Sequence, residues 1–252
     1  MLDMKGEKSM QITKIEDNKG KKPFTALLYC PPGVGKSTAI GLIAESSKGK
    51  TLVLDVDRTI DNAINKGEIV KDTSKVYSAK IDNVNTWDDW MNTMTELKKL
   101  KDQGQLDYEN IAVDNISELE RCILSDLGSK GKNKGVPAMA DYQYTQFKLV
   151  NSIRFLKSLD VNIILTAWET VGTFTHPDGT SYSRVYPKIM DKILDNVLGL
   201  CDVVGKIGIN KDGEHKILLE ATQNIVAKNQ IDTRKVCDVQ DFAKFEIKKE
   251  EK

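Results

Sequence analysis

Residues 30–38 read C-P-P-G-V-G-K-S-T, between an apolar run at 24–29 and a segment of helical spacing at 38–45. This placement restricts the fold more than any other feature, because such a turn works only where a strand feeds a helix. Gly33 and Gly35 can adopt backbone angles closed to other residues. Successive N–H groups from Gly33 through Val34 and Gly35 to Thr38 can then turn inward at a helix N-terminus that already favours anions. Lys36 has the reach to meet the β- and γ-phosphates of a nucleotide, and the Ser37 hydroxyl can enter a Mg²⁺ shell. The pattern G-x-x-x-x-G-K-S/T is complete except at its first position, where Cys30 stands in for glycine. Position 30 closes the strand and points no N–H at phosphate, so the donors of 33–38 survive the exchange.

The rest of the chain follows a strand–helix rhythm. Runs at 51–56, 108–113 and 161–167 read as buried strands, and 87–100 and 148–159 carry helical spacing. Strands alternating with helices imply an α/β fold with a mostly parallel central sheet flanked by helices, and ligands at the carboxyl ends of the strands. Short strands at 201–209, 216–220 and 224–227, the first two joined by a turn at 211–213, extend the sheet as an antiparallel C-terminal edge. One domain at 23–236 is expected, with an extension at 1–22 and a charged tail at 237–252.

The carboxyl ends of the strands carry the candidate chemistry. Asp114 ends the 108–113 strand and can hold Mg²⁺ opposite Ser37; the competing reading is a cap for the helix that starts near Ser117. The 51–56 strand ends in Asp55 and Asp57, where an acid can orient an attacking water, or Asp57 is a surface turn. Thr166, Trp168 and Glu169 end the next strand, in reach of a γ-phosphate. Two later segments suit a polynucleotide. The stretch 128–137 interleaves Lys130, Lys132 and Lys134 with glycines, and 169–188 reads as a hairpin offering Phe174, Tyr182, Tyr186, Arg184 and Lys188. A solvated loop and a packed hairpin are the competing readings of the two.

Lys+Arg and Asp+Glu both number 37, so a partner rich in phosphate needs a local basic patch, since no global charge draws it in. Four scattered cysteines and two histidines without ligand spacing argue against structural zinc and a disulfide scaffold, which fits a reducing cytoplasm. No apolar run is long enough to cross a bilayer, and the N-terminus lacks an apolar signal core, so neither membrane insertion nor export by the usual route is expected. No compact arginine cluster of the kind that lids a nucleoside kinase is present.

The order of these motifs, the loop at 30–38, D-V-D-R-T-I-D at 55–61, Y-E-N-I-A-V-D-N-I-S-E-L at 108–119 and I-I-L-T-A-W-E at 163–169, resembles the RecA-like P-loop ATPase core. The likeness is to the short core-only forms encoded by phages and associated with single-strand annealing and recombination. It implies an ATP- and Mg²⁺-dependent ATPase that is slow and DNA-stimulated, binds single-stranded DNA through the two later segments, and assembles into a ring or filament, with an annealing or single-strand-binding protein as a further partner. It also implies that Asp57 is the base that activates water, at a position where relatives carry the longer Glu, and that Lys228, or Arg234 as a second candidate, reaches a neighbour's nucleotide. The alternative is an ATPase acting on protein partners, as a helicase loader or nucleotide switch.

Overall fold

Strand β1 (Thr25–Cys30) is buried along its whole length, as a run of six residues with no charge must be. In the computed structural model, which describes residues 22–64, 69–175 and 177–245, it forms the centre of the fold. The elements follow as α1 (Lys36–Ser46), β2 (Thr51–Asp55), α2 (Ile60–Ile64), β3 (Val76–Lys80), α3 (Thr86–Asp102), β4 (Asn110–Asp114), α4 (Ile116–Lys130), α5 (Met139–Lys157), β5 (Asn162–Thr175), β6 (Ser181–Pro187), α6 (Asp191–Leu200), β7 (Val203–Ile209), β8 (His215–Leu218), β9 (Lys228–Asn229), β10 (Val236–Asp238) and a 3₁₀ turn, Val239–Asp241.

Among the described residues the sheet runs β10-β8-β7-β1-β5-β4-β2-β3, with β6 paired to β5 and β9 to β7. β7, β1, β5, β4, β2 and β3 are mutually parallel, while β8, β9 and β6 run antiparallel to their partners. β5 therefore separates the strand of the phosphate loop from the strand of Asp114. Period-two alternation sends Leu27 and Tyr29 to one face and Ala26, Leu28 and Cys30 to the other. The first face packs on α3 to α6 through Trp90, Met94, Leu119, Ile153 and Val197. The second packs on α1 and α2 through Ile40, Ile43 and Ile60, and on the C-terminal edge through Ile207, Ile217 and Phe242.

The structure departs from the sequence reading in four places. β3, α2 and α6 are additional elements. β5 does not stop at residue 167 but continues to Thr175 as the first arm of the hairpin, whose arms pair from Glu169↔Pro187 to Thr175↔Ser181. The strand expected at 224–227 is only an isolated bridge, Val185↔Ile225, and the paired strand is β9 just beyond it. The expected tail at 237–252 begins inside the core: β10 pairs β8, Phe242 is 0% exposed, and Phe24 packs edge-on against Phe242 and Phe245. A charged-looking sequence hides this because the buried positions are only Val239 and Phe242. Residues 1–21 of the expected extension and 246–252 of the expected tail lie outside the described residues.

Candidate functional site

The turn from β1 to α1 has the geometry its glycines allow: Gly33 and Gly35 have φ of 81° and 104°, and a Cβ at Gly33 would meet nothing within 4 Å. Lys36, the first residue of α1, is only 7% exposed. Its stem is buried while the residue lines the cleft, and no ion pair engages its ammonium among the described residues, an arrangement that suits a polyphosphate. The cleft around it, of about 780 Å³, is lined by Gly33, Lys36, Ser37, Asp57, Trp168 and a wall from β8 and β10.

Asp114 and Ser37 are brought together across the sheet. The Ser37 hydroxyl donates to Asp114 Oδ2 at 2.5 Å, and Thr166 Oγ donates to Asp114 Oδ1 at 2.6 Å. Thr166 is fully buried, so it orients the carboxylate and is not itself exposed to a phosphate. The capping role weighed for Asp114 falls to Asn115, whose Oδ1 accepts from the Glu118 N–H at 2.8 Å. The Asp114–Asn115 peptide is cis.

The other end of the Asn115 amide reaches Asp57: Nδ2 donates to Asp57 Oδ2 at 2.6 Å. Asp57 is further tied by its N–H to the Asp114 carbonyl at 3.1 Å. Its Oδ1 is buried and makes no hydrogen bond among the described residues. Burial first, and the Asp114 charge second, push the Asp57 carboxyl up to about 6. Asp55 is fully buried and raised for the same leading reason, and it accepts from the Thr59 N–H. Two further carboxylates near the site are engaged: Glu169 is paired with Lys206 at 3.2 Å and Glu118 accepts from the Cys122 thiol.

The residues present fit a nucleotide with Mg²⁺: an ammonium at the cleft with no ion pair among the described residues, open space beside Gly33, and a hydroxyl–carboxylate pair. Among the described residues no group of three or more His, Cys, Asp or Glu is arranged to cage a metal. Mg²⁺ characteristically takes one or two carboxylates and completes its shell with phosphate and water, so the pair Ser37 and Asp114 suffices.

Trp168 leads from this cleft to the hairpin. Its N–H donates to Ser117 Oγ, Ser117 Oγ donates to the Lys188 carbonyl, and the Lys188 N–H donates back to the Trp168 carbonyl, at 2.7–2.9 Å. The Arg121 guanidinium and the Lys188 ammonium lie 5.3 and 5.8 Å from the centre of its indole. Beyond it, Phe174 stacks on Tyr182 with centroids 5.8 Å apart and meets Tyr186 edge-on at 6.1 Å. A Cβ at Gly172 would come within 3.0 Å of the Tyr186 ring, so glycine is what lets the three rings share a face with Arg184.

The remaining expected residues are placed differently. Lys130 belongs to the last turn of α4 and is held by Asp88 and Asp126, while Lys132 and Lys134 are exposed in the following loop. Lys228 donates to the carbonyls of Leu198 and Cys201, at 3.3 and 2.6 Å, and so caps the C-terminus of α6 in its own subunit. Arg234 is engaged by Asp232 and by the carbonyls of Asp241 and Phe242. The sequence reading assigned no role to Asn115 or Lys206, nor to the wall of Glu214, His215, Lys216, Asp238 and Gln240. Only the Asp–Asn dipeptide at a strand end carried a signal for any of these.

No helix among the described residues is long and apolar enough to cross a membrane. No curated protein matches the chain. Among solved structures, an ATPase from the type III secretion system of pathogenic bacteria is similar with a TM-score of 0.45 and 17% identity, over 76% of this chain and 52% of that one. The chain thus spans about half the length of that protein. The family described as AAA domain matches residues 22–231, from the strand before the phosphate loop through the hairpin to β9, and the chain belongs to that family of P-loop ATPase domains.

Proposed function

We propose that this domain is a Mg²⁺-dependent ATPase that grips single-stranded DNA and serves recombination or annealing, as the phage-encoded RecA-like cores it resembles do. One observation carries the ATPase half: Lys36, Ser37 and Asp57 line one cleft, and the buried Asp114 accepts from Ser37 at its floor, although they come from three separate strand ends. Lys36 would meet the β- and γ-phosphates, and the inward amides of 33–38 would bind the chain of phosphates. Ser37 and Asp114 would hold Mg²⁺, which when bound supplies neutralisation of phosphate charge. Asp57 orients and deprotonates the attacking water through its unpartnered Oδ1, while Asn115 fixes its other oxygen.

The DNA half draws support from the three-ring face of the hairpin, which suits unpaired bases, and from its continuity with Trp168 in the cleft wall. Lys132 and Lys134 supply phosphate contacts. Nucleotide binding shifts the hairpin toward its gripping state and hydrolysis releases it, which requires different DNA affinities in the two states. Self-association into a ring or filament, with an annealing protein as a further partner, belongs to the same proposal. A protein-directed reading draws on the face of α5 where Met139 is 76% and Phe147 73% exposed.

The deciding measurement is ATP turnover with and without a single-stranded oligonucleotide, at several protein concentrations. Stimulation that grows with both is expected. Turnover indifferent to DNA transfers the reading to a protein partner, and absence of ATP binding in the unaltered protein ends it.

A further inference from the structure

The phosphate loop and the acidic strand ends account for one side of the cleft; the opposite side is the antiparallel edge β8–β10. Ile217 of β8 packs in the core beside Ile40 and Ile43 of α1. Side chains alternate with period two, so His215 faces the same side. β8 runs antiparallel to β7, which is parallel to β1. Two residues back along β8 from Ile217 is therefore a step toward the edge where β1 ends in the phosphate loop. There the imidazole borders the open side of the loop: Nδ1 and Cε1 lie 3.5 and 3.6 Å from the place a Cβ would take on Gly35, nearer than Thr38 Cβ at 3.9 Å.

The Nδ1–Cε1 side of the ring is thus the part nearest the loop, and Nδ1 can offer an N–H there. The mount is rigid. The Asn210 side chain accepts from the Asp212 and Glu214 N–H groups, and Lys216 is paired with both Glu214 and Asp238. His215 itself is exposed, and no hydrogen bond or ion pair engages its ring among the described residues. The turn and the two ion pairs flank a ring that no hydrogen bond or ion pair engages among the described residues.

We propose that His215 is a ligand of the nucleotide's phosphate chain, donating from its Nδ1–Cε1 edge to the phosphate held by the amides of Gly35 to Thr38. The inference rests on the nucleotide-binding reading above. The loop amides cradle the α- and β-phosphates, and Lys36 reaches the β- and γ-phosphates. A contact beside Gly35 and Thr38 therefore serves a nucleoside diphosphate as well as a triphosphate.

The test is calorimetric titration of ADP and of ATP, each with Mg²⁺, into the full chain carrying His215→Ala, His215→Phe, His215→Arg or Lys36→Ala. Thermal melting without nucleotide checks that each variant is folded, and an exposed position makes that outcome expected. His215→Ala and His215→Phe should each weaken ADP and ATP alike by about 10-fold or more, the scale of a hydrogen bond to a charged group. His215→Arg, which keeps a donor there, should stay within about threefold of the unaltered protein. Native affinity in His215→Ala overturns the proposal, as does rescue by His215→Phe, which would assign the ring to stacking. A loss confined to ATP overturns it too, because the contact would then lie at the γ-phosphate. If the unaltered protein binds neither nucleotide, it is the underlying reading that fails; if Lys36→Ala loses binding while His215→Ala keeps it, only the present inference falls.

Discussion

At the scale of single residues, Asp57 is held in a state that stabilises neither its charge nor the fold. Its carboxyl titrates near 6 in the folded chain and near the ordinary carboxylate value of 3.8 when unfolded. The folded state therefore takes up its proton first, so this group's contribution to stability is fully present below pH 4 and is lost as pH rises toward 6. Above pH 6 the full cost of the buried charge is present. Asp57→Asn removes it, and the Asn115 amide can still donate to the new side chain. After discounting for partial exposure, a gain of ~1 kcal/mol is expected, which raises the melting temperature by about 2–4 °C at pH 7.5 for a chain of this size. At pH 4 the gain should vanish; an equal gain at both values would detach it from the carboxylate charge. The same substitution should lower ATP turnover by about 10² to 10⁴ with nucleotide binding retained, and the unaltered enzyme should lose turnover as pH falls through 6. That Lys36, Ser37 and Asp114 come together was legible in residue type and spacing. The roles of Asn115 and Thr166 were not, because Asn115 meets Asp57 through the pairing of β4 with β2 and Thr166 meets Asp114 through the pairing of β5 with β4, an order that local sequence does not encode.

At the scale of elements, the β5–β6 hairpin joins the two halves of the proposed function. Its aromatic face was legible from alternation in 169–188, because period two is a local signal. Its continuity with the strand of Thr166 was not, since nothing in the composition marks 168 as the middle of a strand. α6 carried its signal in Ile189, Ile193 and Val197, spaced by four, but the hairpin before it obscured the start. β3 is an edge strand whose side chains are half-exposed, so it shows no buried run. Lys130 illustrates the opposite failure: a lysine beside glycines looks mobile until Asp88 and Asp126, one of them from another helix, are placed against it. The hairpin assignment has a selective test. Phe174 touches both neighbouring rings and lies far along the strand from the phosphate loop. Phe174→Ala should weaken single-stranded oligonucleotide binding by about 1–3 kcal/mol, the scale of one lost base stack, and leave the dissociation constant for ATP unchanged. Fluorescence anisotropy with a labelled oligonucleotide reads the first quantity. Equal DNA affinity in the variant would reduce the rings to packing.

At the scale of the whole molecule, the cleft is closed by two distant parts of the chain. One wall is built from residues of the loop, α1 and α2; the other from Glu214 to Lys216 and Asp238 to Gln240. The second wall is anchored by Phe242, buried against Phe24 and α1, which is why a boundary drawn at 236 from charge content would cut through the core. A nucleotide seated in this cleft contacts both walls only when the fold is intact, so its binding energy adds to the stability of the native state alone. ATP with Mg²⁺ at a hundred times its dissociation constant should add about 2.7 kcal/mol, equivalent to a rise in melting temperature of roughly 5–10 °C for a domain of this length. Hydrogen exchange should slow in β8 and β10 as well as in the phosphate loop, because opening either wall releases the ligand. Phe242→Ala, expected to cost about 3–5 kcal/mol, should lower the melting temperature in the absence of nucleotide and weaken the protection that ATP confers on β8. Protection confined to residues 30–45, with β8 and β10 exchanging as fast as in the free protein, would separate the C-terminal edge from the nucleotide and leave the cleft with a single working wall.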